Sequence, residues 1–594
     1  MESQADEMVG QPAQEETIEE PAEEPEEGNT TENSLSESSA EIQPELPVES
    51  EVEVQSEFQE ESGAATEAED FGFVFSGGII TGYTGSESTV VIPDEIDGVP
   101  VTQIGRYAFS NNQTLESIVI GQNVTLIYPE AFDGCNNLKT VRFLGKQVPE
   151  GYYGNHCLYY AKNLGTIYVP IEAYAAYHSA FLECLEDSVR LKTNTGEDFI
   201  VEEDVLIGYA GEAEEVTLPE NIIRIGNSAF CGNTAVEKIY LPDSTVEIEE
   251  KAFYCCENLI TVDNYDQIKR IGNFAFYRCS SLTSHIMEAE NLEELGESAF
   301  ELCTGLQGNL SLPSGVKNIP DKIFAGCAGF QGELLLPEDL ETIGESSFSQ
   351  CGFIGDLRIP NSVQTIKSYA FNACGNFNGT LTLSENLVTL SEGAFAYCRG
   401  LHGDLIIPES VQVIEKEAFN GCSGLDGALK LSSDLKTIGE SAFQDCQTLS
   451  GELIIPDGVT EIGKYAFRNC NGFSGTLEIL GVVQWGNYAF ENCTGITTVA
   501  FGENARYSDG TLFDFCTGIK EIKLYCSPEY AAGMSDLDEL ESLETIYVPS
   551  QFYGIYMEKY GASIPAQVTL KTFEGDEFII KDNVLVGYTG EATE

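Results

Sequence analysis

The sequence predicts a repeat solenoid, a stack of turns built mostly from short parallel strands and turns, with brief helical segments between them. Three observations predict it. Phe109 and Phe132 stand 23 residues apart, and Phe then recurs at 230, 253, 276, 300, 324, 348, 371, 395, 419, 443, 467, 490 and 513, always in steps of 23 or 24. A Cys follows three residues after Phe in thirteen turns, from Cys135 to Cys516. The 594 residues also exceed what one ordinary core accommodates, so the chain must either divide or repeat.

One unit, residues 451–474, reads GELIIPDGVTEIGKYAFRNCNGFS. Leu453 and Ile455 alternate with Glu452 and Ile454, the period of a short half-buried strand. Pro456 and Gly458 turn the chain, Val459 and Ile462 point inward, and Gly463 permits a corner. Ala466, Phe467, Cys470 and Phe473 complete the interior. A single unit would leave apolar edges exposed on both sides, whereas copies stacked in register bury them. The thirteen Cys are read as reduced interior thiols acting as small apolar fillers, because side chains pointing the same way bridge poorly. Cys157, Cys184, Cys231, Cys255 and Cys526 lie off this column, and a Cys157–Cys184 bridge stays open. Trp485 takes the place of an interior Ile and is assigned to the core.

A glycine column runs inside the repeat. Gly308, Gly332, Gly355, Gly379, Gly403, Gly427, Gly451 and Gly475 each precede an inward Leu by two residues. The expectation is a one-residue bulge at each strand start, with Gly relieving the backbone.

If each strand's Leu and Ile face inward, the residue between them faces outward. That column is Ser311, Leu335, Arg358, Thr382, Ile406, Lys430, Ile454 and Glu478. A neighbouring column is Asn309, Glu333, Asp356, Thr380, Asp404, Ala428, Glu452 and Thr476. Both vary as a surface without packing constraint would. Leu335, Arg358, Thr382, Ile406, Lys430 and Ile454 are the candidate partner-binding residues, the three aliphatic ones adding exposed apolar area. A merely tolerant sheet surface is the competing reading.

The net charge is −69, and residues 1–70 alone hold 24 Asp and Glu without one Lys or Arg. This field opposes nucleic acid and anionic membranes as partners. Residues 1–70 are too polar and too uniformly charged to build a core, and are read as a disordered acidic linker. No run of about 18 apolar residues occurs, so membrane insertion is not expected. The start, MESQADEMVG, is unlike a secretory signal.

Two longer segments match without a shift in spacing: residues 166–193 (TIYVPIEAYAAYHSAFLECLEDSVRLKT) and 545–572 (TIYVPSQFYGIYMEKYGASIPAQVTLKT). Similar stretches follow each, from Asp198 and Glu577, with a looser relative at Phe75. This predicts a first block at 71–194, a second at 195–573 and the start of a third at 574–594, each complete block closed by a Tyr-rich cap. Because the third has barely begun at Glu594, the chain is expected to be trimmed from a longer protein.

These units resemble the BspA-like, or Treponema pallidum-type, class of bacterial leucine-rich repeats. The resemblance rests on Ile455-Pro456, Val459, Ile462-Gly463, Ala466-Phe467 and Cys470, with equivalents across most of 71–594, and on GYTG at 82–85 leading into VIPDEIDGVPVTQIGRYAF. It implies a right-handed arc with parallel strands on one face, and a secreted or surface-anchored protein of a gut, oral or parasitic microbe. Some members are adhesins for fibronectin, fibrinogen or cells. The implied function is non-enzymatic adhesion to a protein or glycoprotein partner, such as host extracellular matrix or another cell surface. A structural spacer or coat without specific ligand is the alternative, and an intracellular scaffold a third class, since so many free thiols suit a reducing compartment. His156, His178, His285 and His402 are scattered, and no HExxH, nucleophile elbow or P-loop occurs. No catalytic residue, cofactor or metal is expected.

Overall fold

The computed structural model describes residues 66–67, 72–151, 158, 161–181, 189–481, 484–507, 510–535, 537, 540–574, 578–581 and 584–588. The end of the acidic linker is ordered, since Thr66 and Glu67 pair antiparallel with Phe75 and Val74, where backbone amides find a strand edge; residues 1–65 and 68–70 lie outside the described residues, as do His156, Cys157 and Cys184.

The turns stack along two strips of short parallel strands. The first strip carries the Leu-x-Leu segments: Leu310 pairs with Leu334, Leu357 with Leu381, and Leu405 with Leu429. The second carries the dipeptide ending at the Ile before the corner, so that Thr389, Val413, Thr437 and Glu461 stand in one row. The resemblance implied strands on one face; the structure has them on two. The physical reason is that any extended dipeptide repeated at constant spacing meets its own copy in the next turn and pairs with it.

The third strip is the one bearing Phe. There the backbone N–H of Phe419 donates to the Ala442 carbonyl at 2.8 Å, and Glu417 and Gly421 donate likewise to Glu440 and Gln444. To aim these donors along the stack, the residues two before and two after Phe adopt left-handed backbone: Glu417 has φ 58° and Gly421 φ 71°, Tyr465 φ 59° and Asn469 φ 62°. Most of these are not glycine, and each costs roughly 1–2 kcal/mol locally. The hydrogen bonds between turns offset that cost.

Behind this strip the Phe rings form a column. Phe395, Phe419 and Phe443 are consecutive rungs with centroids 5.4 and 5.5 Å apart and planes within 7°. The hairpin tyrosines Tyr83 and Tyr209 close the two columns against Phe109 and Phe230, at 5.3 and 5.0 Å. Apolar side chains form two buried clusters, one reaching from Phe73 to Ala210 and one from Leu206 to Leu570.

Three matching antiparallel strand pairs, Phe73–Ser76 with Ile79–Tyr83, Phe199–Glu202 with Val205–Tyr209 and Phe578–Lys581 with Val584–Tyr588, carry the same register shift in the first strand. The first two continue in parallel onto the second strip of the turns that follow. Helices α1 (Tyr174–Phe181) and α2 (Tyr553–Tyr560) belong to the two Tyr-rich segments. Three of their buried tyrosines have satisfied hydroxyls: Tyr177 shares its proton between the Gly145 and Gln147 carbonyls, Tyr556 donates to Cys526 and Tyr560 to Pro528. The Tyr174 ring lies directly over Gly208 of the second hairpin, where an added Cβ would meet it at 2.1 Å. No described helix is long and apolar enough to cross a membrane.

The glycine column splits into two alternating roles. Gly308, Gly355, Gly403, Gly451 and Gly475 have φ between 78° and 84°, and register shifts mark bulges at Gly451 and Gly475. Gly332, Gly379 and Gly427 have no positive φ; they are required because the preceding turn's backbone passes too close. A Cβ on Gly427 would meet Asp404 N and Gly403 C, both at 2.4 Å. The single bulge expected at all eight sites is thus corrected to two devices, one conformational and one steric.

Two outcomes follow. Phe419→Ala removes a fully buried rung and is expected to lower unfolding free energy by about 3–5 kcal/mol, read by denaturant titration. Gly403→Ala should cost roughly 1–2 kcal/mol for its left-handed backbone. Gly427→Ala should cost more, because two backbones must part; equal costs would refute the two-role assignment.

Candidate partner-binding face

The thiol column supports the face from within. In all thirteen turns, Cys Sγ donates to the carbonyl oxygen of the preceding turn's Phe, at 2.9–3.1 Å. The same carbonyl accepts an N–H from its own turn, as Phe395 does from Cys398 at 3.2 Å, so both lone pairs are used. Cysteine is more than an apolar filler here: it is a small side chain with a donor that reaches across turns. The exceptions fit this account. Phe109 and Phe230 begin their runs with no Phe turn before them, and Asn112 and Asn233 replace Cys. Asn112 Oδ1 accepts from Thr114 N and Leu115 N, and Asn233 Oδ1 from Ala235 N and Val236 N.

The thirteen column cysteines and Cys526 are free thiols. Burial pushes the Cys374 and Cys422 thiols up to about 12 from an ordinary value near 9, and raises their buried neighbours likewise. Cys231 and Cys255, off the column, are half-buried.

On the outside, the first strip places all six candidate residues on the exposed face. Arg358 stands beside Thr382, Ile406 beside Lys430, and Ile454 beside Glu478. The strip pairs two turns at a time through this region, so Leu335 pairs with Ser311 and forms no ladder with Arg358 in the following turn. Leu335, Ile406 and Ile454 are 48%, 54% and 51% exposed. Arg358 is held by Glu338 at 2.5 Å, which leaves little uncompensated charge at that rung.

The neighbouring column is less free than its variation suggests. Asn309, Asp356 and Asp404 each turn a side-chain oxygen to a backbone N–H of the next turn, those of Glu333, Thr380 and Ala428, at 2.6–2.9 Å. Asn378 and Asp426 accept from Gly355 N and Gly403 N. These five staple turns together and are structural. The clue legible in sequence was their restriction to Asn and Asp, short acceptors able to reach a backbone amide.

The second strip is charge-paired. Arg224, Glu247, Arg270 and Glu294 stand in one row, and Arg270 contacts Glu247 at 3.0 Å and Glu294 at 3.3 Å. Trp485, assigned to the core, is only half-buried: its ring meets Phe490 edge-on while Nε1 donates to the Arg506 carbonyl at 2.8 Å. An indole N–H needs a partner, which keeps that end near the surface. His178, His285 and His402 lie in different turns, and no group of three metal-ligating side chains occurs among the described residues.

The family model for the BspA type leucine-rich repeat region matches residues 86–195, 208–331, 307–426 and 426–532, with six copies. The chain belongs to the BspA-type leucine-rich-repeat family. Among solved structures, this BspA-type chain is similar to a leucine-rich cell surface protein from Faecalibacterium prausnitzii, at 23% identity and TM-score 0.37, covering 58% of this chain and 95% of that one. It is also similar to a leucine-rich repeat protein from Bacteroides ovatus, at 21% identity and TM-score 0.38, covering 63% and 91%. A third is the pneumococcal vaccine antigen PcpA, at 18% identity and TM-score 0.34, covering 62% and 94%. No curated relative matches the sequence.

The thiol column generates a test with a definite sign. The folded column thiols from Cys256 to Cys493 ionise only well above the value that unfolded thiols have, because burial disfavours the thiolate. Their contribution is therefore intact below about pH 8.5 and lost as pH rises toward 12. Stability should fall between pH 9 and 11, by about 1.4 kcal/mol per pH unit for each buried thiol. A variant with Cys374, Cys398, Cys422 and Cys446 changed to Ala should lose less over that range. Maleimide labelling of the native protein at pH 8 should spare the column. Rapid modification of the column would sink the assignment.

Proposed function

We propose that this chain is a non-catalytic recognition protein displayed at the cell surface. It adheres to a protein or glycoprotein partner, on extracellular matrix or another cell, through the exposed first strip. The supporting observation is the recurrence of half-exposed aliphatic side chains, Leu335, Ile406 and Ile454, in one outward column whose interior neighbours are fully buried. Exposed apolar side chains set among polar ones favour association when a complementary surface removes them from water, at about 25 cal/mol per Å². Arg358, Thr382 and Lys430, between them, supply hydrogen-bond donors that orient a partner. Membership of a family with solved cell-surface relatives supports the location.

A ligand-free spacer is the second reading, favoured by the staples and thiol column that tie each turn to the next. The two separate on one experiment. The variant Leu335→Ser, Ile406→Ser, Ile454→Ser changes no buried residue and should keep its unfolding midpoint. Binding to immobilised fibronectin, fibrinogen and bacterial cells should be saturable for the parent chain and at least about tenfold weaker for the variant. Saturable binding that the variant retains defeats the site; no saturable binding by the parent supports the spacer.

A further inference from the structure

The two Tyr-rich segments carry the same exposed ladder. On the outward column of the first strip, Arg142 stands beside Tyr168 and Tyr168 beside Lys192. In the second segment Lys523 stands beside Tyr547 and Tyr547 beside Lys571. All six side chains are half-exposed. The chain has only 29 Lys and Arg against 98 Asp and Glu, so a cation–tyrosine–cation row appearing twice is against its composition.

Comparison of the two segments shows what has been held. Core positions agree, as packing requires: Ile167 with Ile546, Val169 with Val548, Tyr177 with Tyr556. Many other positions differ, such as Glu172 and Gln551, Ala176 and Ile555, Arg190 and Thr569. The outward pairs Tyr168 with Tyr547 and Lys192 with Lys571 are nevertheless identical, and in the strand before each segment Arg142 and Lys523, matched by strand register, keep the charge. Tyr168 packs under the Arg142 guanidinium and Tyr547 stacks on Phe573, but Lys192 and Lys571 are half-exposed and fill no core position.

We infer that each ladder is a binding site for a carboxylated sugar of a glycan. Strands lie about 4.8 Å apart, which puts the two cations roughly 10 Å from each other with the tyrosine between them. That span suits one pyranose ring, its carboxylate taken by an ammonium or guanidinium group and its hydroxyls by the tyrosine and the second cation. Beside the second ladder, Tyr525 and Phe573 stack at 4.3 Å, and Tyr525 is 45% exposed, an apolar ledge for the sugar's C–H edge. Arg142 is pre-set by donating to Asn194 Oδ1 at 2.7 Å while lying 4.2 Å from the Tyr168 ring.

The chain's overall negative charge does not oppose such a ligand. At physiological salt the screening length is about 8 Å, so nearby groups set the local field: Glu212 pairs with Lys192 and Glu521 lies 3.5 Å from Lys523, and the ligand's carboxylate takes the place of these acids. A glycan with one carboxylate per sugar is also far sparser in charge than nucleic acid, with about one charge per 1.7 Å. This inference is independent of the Leu335–Ile454 column.

The test is calorimetric titration of the full chain with tetragalacturonate, its methyl ester and sialyllactose. Expected is binding of a carboxylated sugar at two sites per chain, weakened at least about tenfold by esterification. Tyr168→Ala or Tyr547→Ala should each remove one site, and the double variant both. Lys192→Gln with Lys571→Gln should weaken both sites, while column thiols stay protected from maleimide and report an intact fold. A preference for tetragalacturonate identifies a uronic acid, a preference for sialyllactose a sialic acid. Absence of binding by both acids, equal binding of the ester, or unchanged stoichiometry in the tyrosine variants would overturn the proposal. So would poly-glutamate binding as tightly at the same sites, which would indicate an acidic peptide.

Discussion

A turn too short for a regular helix cannot satisfy its own backbone, so its amides and carbonyls must find partners in the turns above and below. That constraint governs the rest of the molecule. It demands that successive turns superimpose, which in turn demands the same side chain at the same place. Two strand strips and the Phe strip are three ways of meeting it, the last through left-handed residues that point every second N–H along the stack. An unpaired amide in the interior would cost about 1–3 kcal/mol, comparable with the local strain that aiming it requires.

The thiol and staple systems belong to the same accounting. Each Phe carbonyl has a second lone pair facing the next turn, and Cys supplies a donor of the right size. Where no Phe precedes, Asn turns inward to its own turn's amides. On the outer side, Asn309, Asp356, Asp404, Asn378 and Asp426 complete the strip where turns pair two by two. A solenoid assembled this way is constrained inside and along its seams. The outward column of the first strip is left comparatively free for chemistry, with Leu335, Ile406 and Ile454 in its middle and cation–tyrosine rows near both Tyr-rich segments.

Much of the fold was legible in the residues. The step of 23 or 24, the Phe column, the inward and outward alternation and the Tyr-rich segments all follow from periodicity, because a side chain's burial depends on its place in the turn. The family resemblance pointed to the same repeat. The outward column was legible too, since parity along a strand decides which residues face solvent. Less legible were the roles. Asp356 and Asp404 act as acceptors for the next turn, a role that sequence marks only by a short Asn or Asp recurring at alternate turns. Trp485 sits at an Ile position but keeps its N–H near the surface. The eight glycines look like one column but serve two purposes.

By itself, then, the sequence determined which residues form rungs, because identical spacing is a one-dimensional property. Only the tertiary structure decided how the rungs are joined, because a hydrogen bond between Cys422 and Phe395 spans 27 residues of chain and depends on where two turns come to rest. The left-handed positions at Glu417, Tyr465 and Asn469 carry no glycine to announce them; their conformation is imposed by the neighbouring turn. The pairing of Arg142 with Tyr168 and Lys192 likewise arises from stacking, since the three lie in successive strands far apart in the chain.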